Sequence, residues 1–112
     1  WSEGVATGRL SVARFVEVTS TQAARLFGLY PRKGTIAPGA DADLIVWNPE
    51  TTKVIDGSTM YSNAGYSPYD GWEITGWPEV TISRGTIVAR NQEVSAERGR
   101  GRLAPRTRFR RP

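Results

Sequence analysis

The sequence predicts an α+β fold that is mainly β, with a short N-terminal helical pair followed by a β-sandwich-type sheet. Apolar residues follow a helical spacing in the first third of the chain, whereas β-branched runs broken by turn residues dominate after Lys33. Helices come first and strands later, which disfavours alternating βαβ winding. We therefore divide the chain into a helical segment at 1–32, a β-rich small domain at 33–97 and a basic, flexible tail at 98–112.

Two helix signals lie in the first segment. Ser11 is a suitable N-cap for an apolar stripe that begins at Val12. Hydroxyl residues at 19–21 offer a second set of caps ahead of another apolar face, and Gly28 stands where a C′ glycine would end the helix. We expect a helical hairpin or a bent helix pair.

Short strands separated by turns are predicted after Lys33. Arg84-Gly85 and Asn91-Gln92 are tight-turn candidates between the last of them. The run at 44–47 is apolar throughout, which is typical of a strand buried on both faces. The expected strands are 35–37, 44–47, 53–55, 73–75, 80–83, 86–90 and 93–94.

The composition excludes several kinds of catalytic site within this chain. It contains no cysteine and no histidine, so disulfides, Cys-ligated or His-ligated metals and a Ser-His-Asp triad are impossible here. No apolar run approaches the roughly 20 residues of a transmembrane helix, and we expect no membrane partner and a cytoplasmic location. Because the chain begins at Trp1 and its one methionine is Met60, we expect it to be a fragment of a longer protein.

Charge is distributed unevenly along the chain. The tail holds seven of the 15 basic residues and none of the 11 acidic ones, which leaves residues 1–97 with a net charge of −3. We expect an extended, mobile tail whose removal leaves the fold intact. Binding to nucleic acid through the tail is the alternative, although Phe109 is its only ring. The basic residues are Arg98, Arg100, Arg102, Arg106, Arg108, Arg110 and Arg111.

Two further features are candidate sites. Asp41 and Asp43 are paired carboxylates that could bind a hard cation, but calcium requires about 6–8 oxygen ligands. We favour the interpretation that they accept hydrogen bonds from turn amides. The second feature is a ring-rich segment at 60–72, for which an interface anchor and a lid over the core both remain open. Its rings are Tyr61, Tyr66, Tyr69 and Trp72.

The segment 33–47, KGTIAPGADADLIVW, resembles the link from the barrel to the small β domain in enzymes of the amidohydrolase superfamily. YSPYDGW at 66–72, Gly-Trp-Pro at 76–78 and Ser-Arg-Gly at 83–85 extend the resemblance to the C-terminal region of D-hydantoinases and dihydropyrimidinases. Allantoinases share the first segment, so an allantoinase-type relative is an alternative.

The resemblance implies a metal-dependent TIM barrel that opens cyclic amides to N-carbamoyl amino acids. Two divalent ions, zinc or similar, would be held by histidines, an aspartate and a carboxylated lysine, all upstream of the matched region. Lys33, Asp41, Asp43 and Lys53 do not correspond to these ligands, so we assign no catalytic, cofactor-binding or metal residue to this chain.

The resemblance also implies a structural role for this chain. Residues 1–32 would be the end of the barrel, and the small domain would be composite, built from both ends of the parent chain. The implied partners are the rest of the barrel and further copies of the protein. A non-enzymatic relative, like the collapsin-response mediator proteins, is a further alternative.

Overall fold

The computed structural model describes residues 1–107. A π-helical turn at Ser2–Ala6 precedes helix α1 (Val12–Val16), a second π-helical turn at Glu17–Thr21 and helix α2 (Gln22–Leu26). Strand β1 spans Leu44–Val54, and a 3₁₀ turn lies at Gly57–Thr59. The chain then forms β2 (Glu73–Ser83), β3 (Thr86–Arg90) and β4 (Glu93–Val94).

The first helix begins at the predicted cap, but no separate second helix begins at the predicted caps at 19–21. Ser11 is the N-cap of α1, and its hydroxyl accepts a hydrogen bond from the Arg14 amide at 3.1 Å. The prediction of new caps at 19–21 is wrong, because Thr21 has helical dihedral angles and Thr19 donates its hydroxyl to the Phe15 carbonyl. The helices therefore form one bent run, with the π-helical turn between them.

The prediction of a mainly-β α+β fold is confirmed, and the strands of residues 1–107 form one antiparallel sheet in the order β1-β2-β3-β4. The segments 44–47 and 53–55, predicted as separate strands, are both parts of β1, and 73–75 and 80–83 are both parts of β2. The two long strands stay paired across register shifts, including one between Asn48 and Thr52. A bulge absorbs the irregular residues without ending the strand.

The predicted strand at 35–37 is wrong. These residues form bends and a turn in which the Ala40 amide donates to the Ala37 carbonyl, and within residues 1–107 no strand pairs with them. Both tight turns are confirmed. Arg84 and Gly85 have φ of 48° and 78°, and Asn91 and Gln92 also have positive φ, as a two-residue hairpin turn requires.

An aromatic cluster joins the helices to the sheet. The ring of Trp1 lies 5.4 Å from that of Phe15 and 5.6 Å from that of Trp47 on β1. Gly76 makes room for Trp1 in the middle of β2, since an added Cβ would lie 2.4 Å from the indole. Next to it, Ser2 accepts a hydrogen bond from the Thr75 amide through its hydroxyl.

Little of the apolar surface is fully covered. Ala24 and Val80 are the only buried hydrophobic residues among those the structure describes, and they retain 5% and 7% exposure. The predicted burial of both faces at 44–47 is wrong for this chain, because Ile45 is 61% exposed and Val46 48% exposed. Ile45 and Val46 are successive residues of β1 and point to opposite faces of the sheet, so neither face is fully covered at this position. Exposed apolar residues on the helical run are Val12, Val16, Val18, Leu26 and Phe27.

Candidate functional site

A group of charges, here called the acidic corner, lies where the loop after the helices enters β1; it comprises Arg32, Lys33, Asp41 and Asp43. Lys33 Nζ pairs with both aspartates, at 2.8 Å from Asp41 Oδ2. Arg32 Nε donates to the same Asp41 oxygen at 3.0 Å. Two carboxylates and two cations thus balance each other at the corner.

The corner is fastened to the turn between β2 and β3. Asp43 Oδ1 accepts the backbone amide of Arg84 at 2.7 Å, and the Gly85 amide donates to the Ala42 carbonyl at 3.0 Å. The expectation that these aspartates accept turn amides is confirmed for Asp43. Asp41 is held by cations instead, since its carboxylate bonds to Arg32 and Lys33.

The pairing at the corner stabilises the charged form of each group. Hydrogen bonds from Lys33 are the largest cause that lowers the pKa of Asp41 and the pKa of Asp43. The same bonds raise the pKa of Lys33. A cluster that is charged and internally neutralised at neutral pH suits neither proton transfer near pH 7 nor the binding of a divalent cation. Within residues 1–107, no group of three or more acidic, His or Cys side chains is arranged for a metal.

Lys53 makes a contact of a different kind. It lies on β1, and its ammonium is 4.8 Å from the ring centre of Trp77 on β2, a cation–π contact across the strand pair. The sequence analysis considered four residues as possible metal ligands, and all four have structural roles. Lys33, Asp41 and Asp43 form the acidic corner, whereas Lys53 packs on Trp77.

The ring-rich segment at 60–72 is a second candidate surface. Together with residues 56–59, which lead into it, this segment is here called the aromatic loop (residues 56–72). Tyr61, Tyr66, Tyr69 and Trp72 are all more than half exposed, and the rings of Tyr69 and Trp72 meet edge to face at 5.3 Å. These rings form no buried lid over the sheet of residues 1–107, which leaves them available for contact with another part of the protein or with another copy.

Sequence reasoning missed the aspartates that shape the aromatic loop. Asp70 accepts the amides of Gly57 and Ser67, and Asp56 accepts the amide of Ser58 at 2.9 Å. Hydrogen bonds from Ser58, its hydroxyl first, lower the pKa of Asp56. The available signal was an aspartate before a glycine, at Asp56-Gly57 and Asp70-Gly71, which is typical of turns.

A groove lies between the aromatic loop and the sheet. It has a volume of about 190 Å³ and is lined in part by Met60, Tyr61, Trp77, Ala89 and Val94. Ligand pockets commonly measure about 300–1,000 Å³. This groove is smaller than such pockets.

The described part of the tail contacts the body of the fold. Arg100 Nη2 donates to the Ser83 carbonyl at 2.9 Å, and the Thr107 amide donates to the Gly28 carbonyl at 2.8 Å. The expectation that removing the tail leaves the fold intact overlooked these two contacts. Its last basic residues, Arg108, Arg110 and Arg111, and the ring of Phe109 lie outside the described residues.

Comparison with known proteins identifies the family. The sequence profile described as "Amidohydrolase family" matches residues 2–88. The chain belongs to the amidohydrolase family. Within it, the chain is 47% identical over 105 residues to dihydropyrimidinase-related protein 5 of Homo sapiens, and 40% identical over 109 residues to D-hydantoinase of Geobacillus stearothermophilus. These alignments cover 94% and 97% of this amidohydrolase-family chain but 19% and 23% of the relatives.

Solved structures of the family agree with the fold. The crystal structure of dihydropyrimidinase from Brevibacillus agri NCHU1002 superposes with a TM-score of 0.94 at 41% identity, covering 99% of this chain and 24% of that one. L-hydantoinase from Arthrobacter aurescens superposes with a TM-score of 0.83 at 46% identity, covering 86% of this chain and 21% of that one. The chain thus spans about a fifth to a quarter of the length of its relatives, and the predicted resemblance to hydantoinases and dihydropyrimidinases is confirmed. Among residues 1–107, no helix is long and apolar enough to cross a membrane.

Proposed function

We propose that this chain is a structural part of a cyclic amidase of the hydantoinase and dihydropyrimidinase type. The complete enzyme would hydrolyse a cyclic amide to an N-carbamoyl amino acid, with divalent metal ions activating the water that attacks the ring carbonyl. The observation that carries the proposal is a likeness that extends over nearly the whole chain, at 41% identity and a TM-score of 0.94 to a dihydropyrimidinase.

The surface of the chain supports a role in completing a larger fold. Helical residues such as Leu26 and Phe27 are more than half exposed, as is Ile45 on the edge strand β1. Exposed apolar side chains on the helices and on an edge strand are expected where another part of a larger fold packs against them. Because the resemblance to these enzymes implies this division, the proposal assigns residues 1–32 to the barrel and 33–97 to the small domain.

The metal ions of the proposed enzyme do not fit the residues of this chain. Asp41 and Asp43 are engaged by Lys33, so their oxygens are already neutralised, and the sequence has no histidine or cysteine. The proposal therefore assigns metal binding and catalysis to the rest of the protein, and it assigns no catalytic residue to this chain.

Assembly is the second part of the proposed role. The exposed rings of the aromatic loop suit a contact between copies, because Tyr and Trp dominate protein interfaces. We propose a homo-oligomeric, cytoplasmic enzyme in which this loop lies near a subunit contact.

Two assays test the catalytic proposal. The complete protein that contains this chain should hydrolyse dihydrouracil or hydantoin in a metal-dependent reaction. The 112-residue chain should release no N-carbamoyl product from either ring with added zinc or manganese, since it lacks the ligands that activate water. Turnover by the rigorously purified chain that a chelator abolishes would contradict the purely structural role.

A non-enzymatic relative is the second candidate. The chain is about as similar to a protein named only as related to dihydropyrimidinase, at 47% identity, as it is to an L-hydantoinase, at 46%. A complete protein that assembles into stable oligomers but neither binds divalent metal nor opens any cyclic amide would support this candidate. Selective opening of allantoin would instead indicate the allantoinase-type alternative.

A further inference from the structure

We propose that residues 98–107 form a strap that clamps the end of helix α2 to the turn between β2 and β3, with Gly28 as the receptor for its distal end. The strap is held at two separate points, Arg100 and Thr107. This is a conformational device that does not depend on the reaction of the complete protein.

The first anchor joins the strap to the sheet. Arg84 donates from Nη2 to the carbonyl of Arg100, and Arg100 donates from Nη2 to the carbonyl of Ser83 at 2.9 Å. Each arginine side chain therefore bonds to the backbone of the other segment. On its other side, the turn is held by the Asp43 carboxylate, which accepts the Arg84 amide, so the strap is tied to a fixed point.

The second anchor joins the strap to the helical run. The carbonyls of the last helical turn lack intrahelical partners, and the Gly28 carbonyl, just past the end of α2, accepts the Thr107 amide at 2.8 Å and the Thr107 hydroxyl at 3.2 Å. An added Cβ at Gly28 would lie 2.0 Å from the Thr107 carbonyl oxygen. Because that neighbour is backbone, the strap cannot stay in place if residue 28 carries a side chain.

The segment between the anchors contributes little packing. Leu103 is 95% exposed, so burial of apolar surface does not hold the strap. Its attachment depends on a small number of hydrogen bonds, each of which is weak in net terms. The strap should therefore open locally without global unfolding, and loss of one anchor should free the segment around Arg102.

Chymotrypsin cleavage of the Leu103–Ala104 bond in the full chain tests the strap, because Thr107→Pro changes no chymotrypsin site, whereas it would block trypsin cleavage after Arg106. Thr107→Pro removes the donating amide, whereas Thr107→Val keeps it and removes only the hydroxyl bond. We expect Thr107→Pro to raise the cleavage rate about tenfold, because cleavage follows the population of the open form, and Thr107→Val to raise it less. Equal rates in Thr107→Pro and the original chain would overturn the proposal, as would protection that grows with protein concentration, since the tail would then be docked on another copy.

A double-mutant cycle tests the role of Gly28. Gly28→Ala should lower the Tm by about 5 °C more in the original chain than in the Thr107→Pro background, where the strap is already released. Gly8→Ala is the matched control, because Gly8 also has a positive φ, of 75°, but open space where a Cβ would lie; its effect should be the same in both backgrounds. If Gly28→Ala is also additive with Thr107→Pro, Gly28 is not the receptor. If Gly28→Ala fails to fold, the cleavage rates of Thr107→Pro and Thr107→Val still test whether the strap is attached through residue 107.

Discussion

The acidic corner and the aromatic loop are both organised by two aspartates, yet they use these carboxylates differently. In the corner, Asp41 and Asp43 face the ammonium of Lys33. In the loop, Asp56 and Asp70 accept backbone amides, and they form no salt bridge within residues 1–107. The corner is thus held mainly by ion pairs, and the loop is held by hydrogen bonds to backbone amides.

The difference has physical consequences. Interactions between charges at the surface weaken as salt increases, whereas hydrogen bonds to fixed backbone amides depend chiefly on geometry. Close packing adds to the geometry in the loop, where Gly57 is buried beneath the backbone of Tyr66 and Ser67. The following predictions, from the largest expected effect to the smallest, test this contrast.

Gly57→Ala should have the largest effect, because it attacks the loop where packing is tightest. An added Cβ would lie 2.4 Å from the Ser67 amide nitrogen and 2.6 Å from the Tyr66 carbonyl carbon. We expect the free energy of unfolding to fall by about 3 kcal/mol, the upper range for overpacking, as measured by urea denaturation. Gly101→Ala is the control, since Gly101 has open space and no positive φ. A similar loss in both variants would mean that the loop yields easily.

The two kinds of aspartate should differ in their response to salt. Asp70→Asn weakens the acceptors for two amides and should lower the free energy of unfolding by about 1–2 kcal/mol, with little change between low salt and 1 M sodium chloride. Asp43→Asn removes a partly exposed ion pair with Lys33 and should cost about 1 kcal/mol at low salt and clearly less at 1 M. Denaturation at both salt concentrations measures this, and an equal salt response in the two variants would contradict the contrast.

The smallest expected effect is the pH dependence of the corner. The pKa values of Asp41 and Asp43 lie below their ordinary value of 3.8, so their contribution is present above about pH 4 and is lost as pH falls through the lowered values. The pKa of Lys33 lies above its ordinary 10.5, so its contribution is present below that pH and is lost as pH rises through the raised value.

Lys33→Met provides the measurement for the corner. The difference in Tm between the original chain and Lys33→Met should be constant near neutral pH and shrink at both the acidic and the basic end. Asp56, whose pKa is lowered from 3.8, is the matched case in the loop. Asp56→Asn should produce a difference that shrinks at the acidic end only. A Lys33→Met difference that does not change with pH would show that the lysine contributes through packing and not through charge.

Local features of the sequence were sufficient for part of the fold. The cap at Ser11, the glycine end at Gly28 and both two-residue turns depend on residues close together in the chain. The prediction of a mainly-β fold depends on patterns of the same short range. Local patterns did not predict that the segments 44–47 and 53–55 form one strand. Both segments pair with β2 on either side of the bulge between Asn48 and Thr52, and this pairing joins them as β1.

The candidate sites divide in the same way. The sequence showed that the carboxylates at Asp41 and Asp43 stood near a turn, but not that Lys33 would neutralise them. The sequence showed the rings of the aromatic loop, but it did not show that they stay exposed. Their exposure depends on how the loop packs against the rest of the folded chain. The Asp70-Gly71 pair indicated a turn, but no local pattern showed that Asp70 also accepts the amide of Gly57, 13 residues away.

By itself, the sequence determined the order of helices and strands, the turns, the separation of charge between body and tail, and the lack of histidine and cysteine chemistry. Tertiary structure alone decided that Asp43 meets the Arg84 amide across 41 residues and that Thr107 meets Gly28 across 79. Caps and turns follow from the conformational preferences of neighbouring residues. Contacts between distant residues form only when many weak interactions together repay the entropy of closing long loops, so no local pattern encodes them.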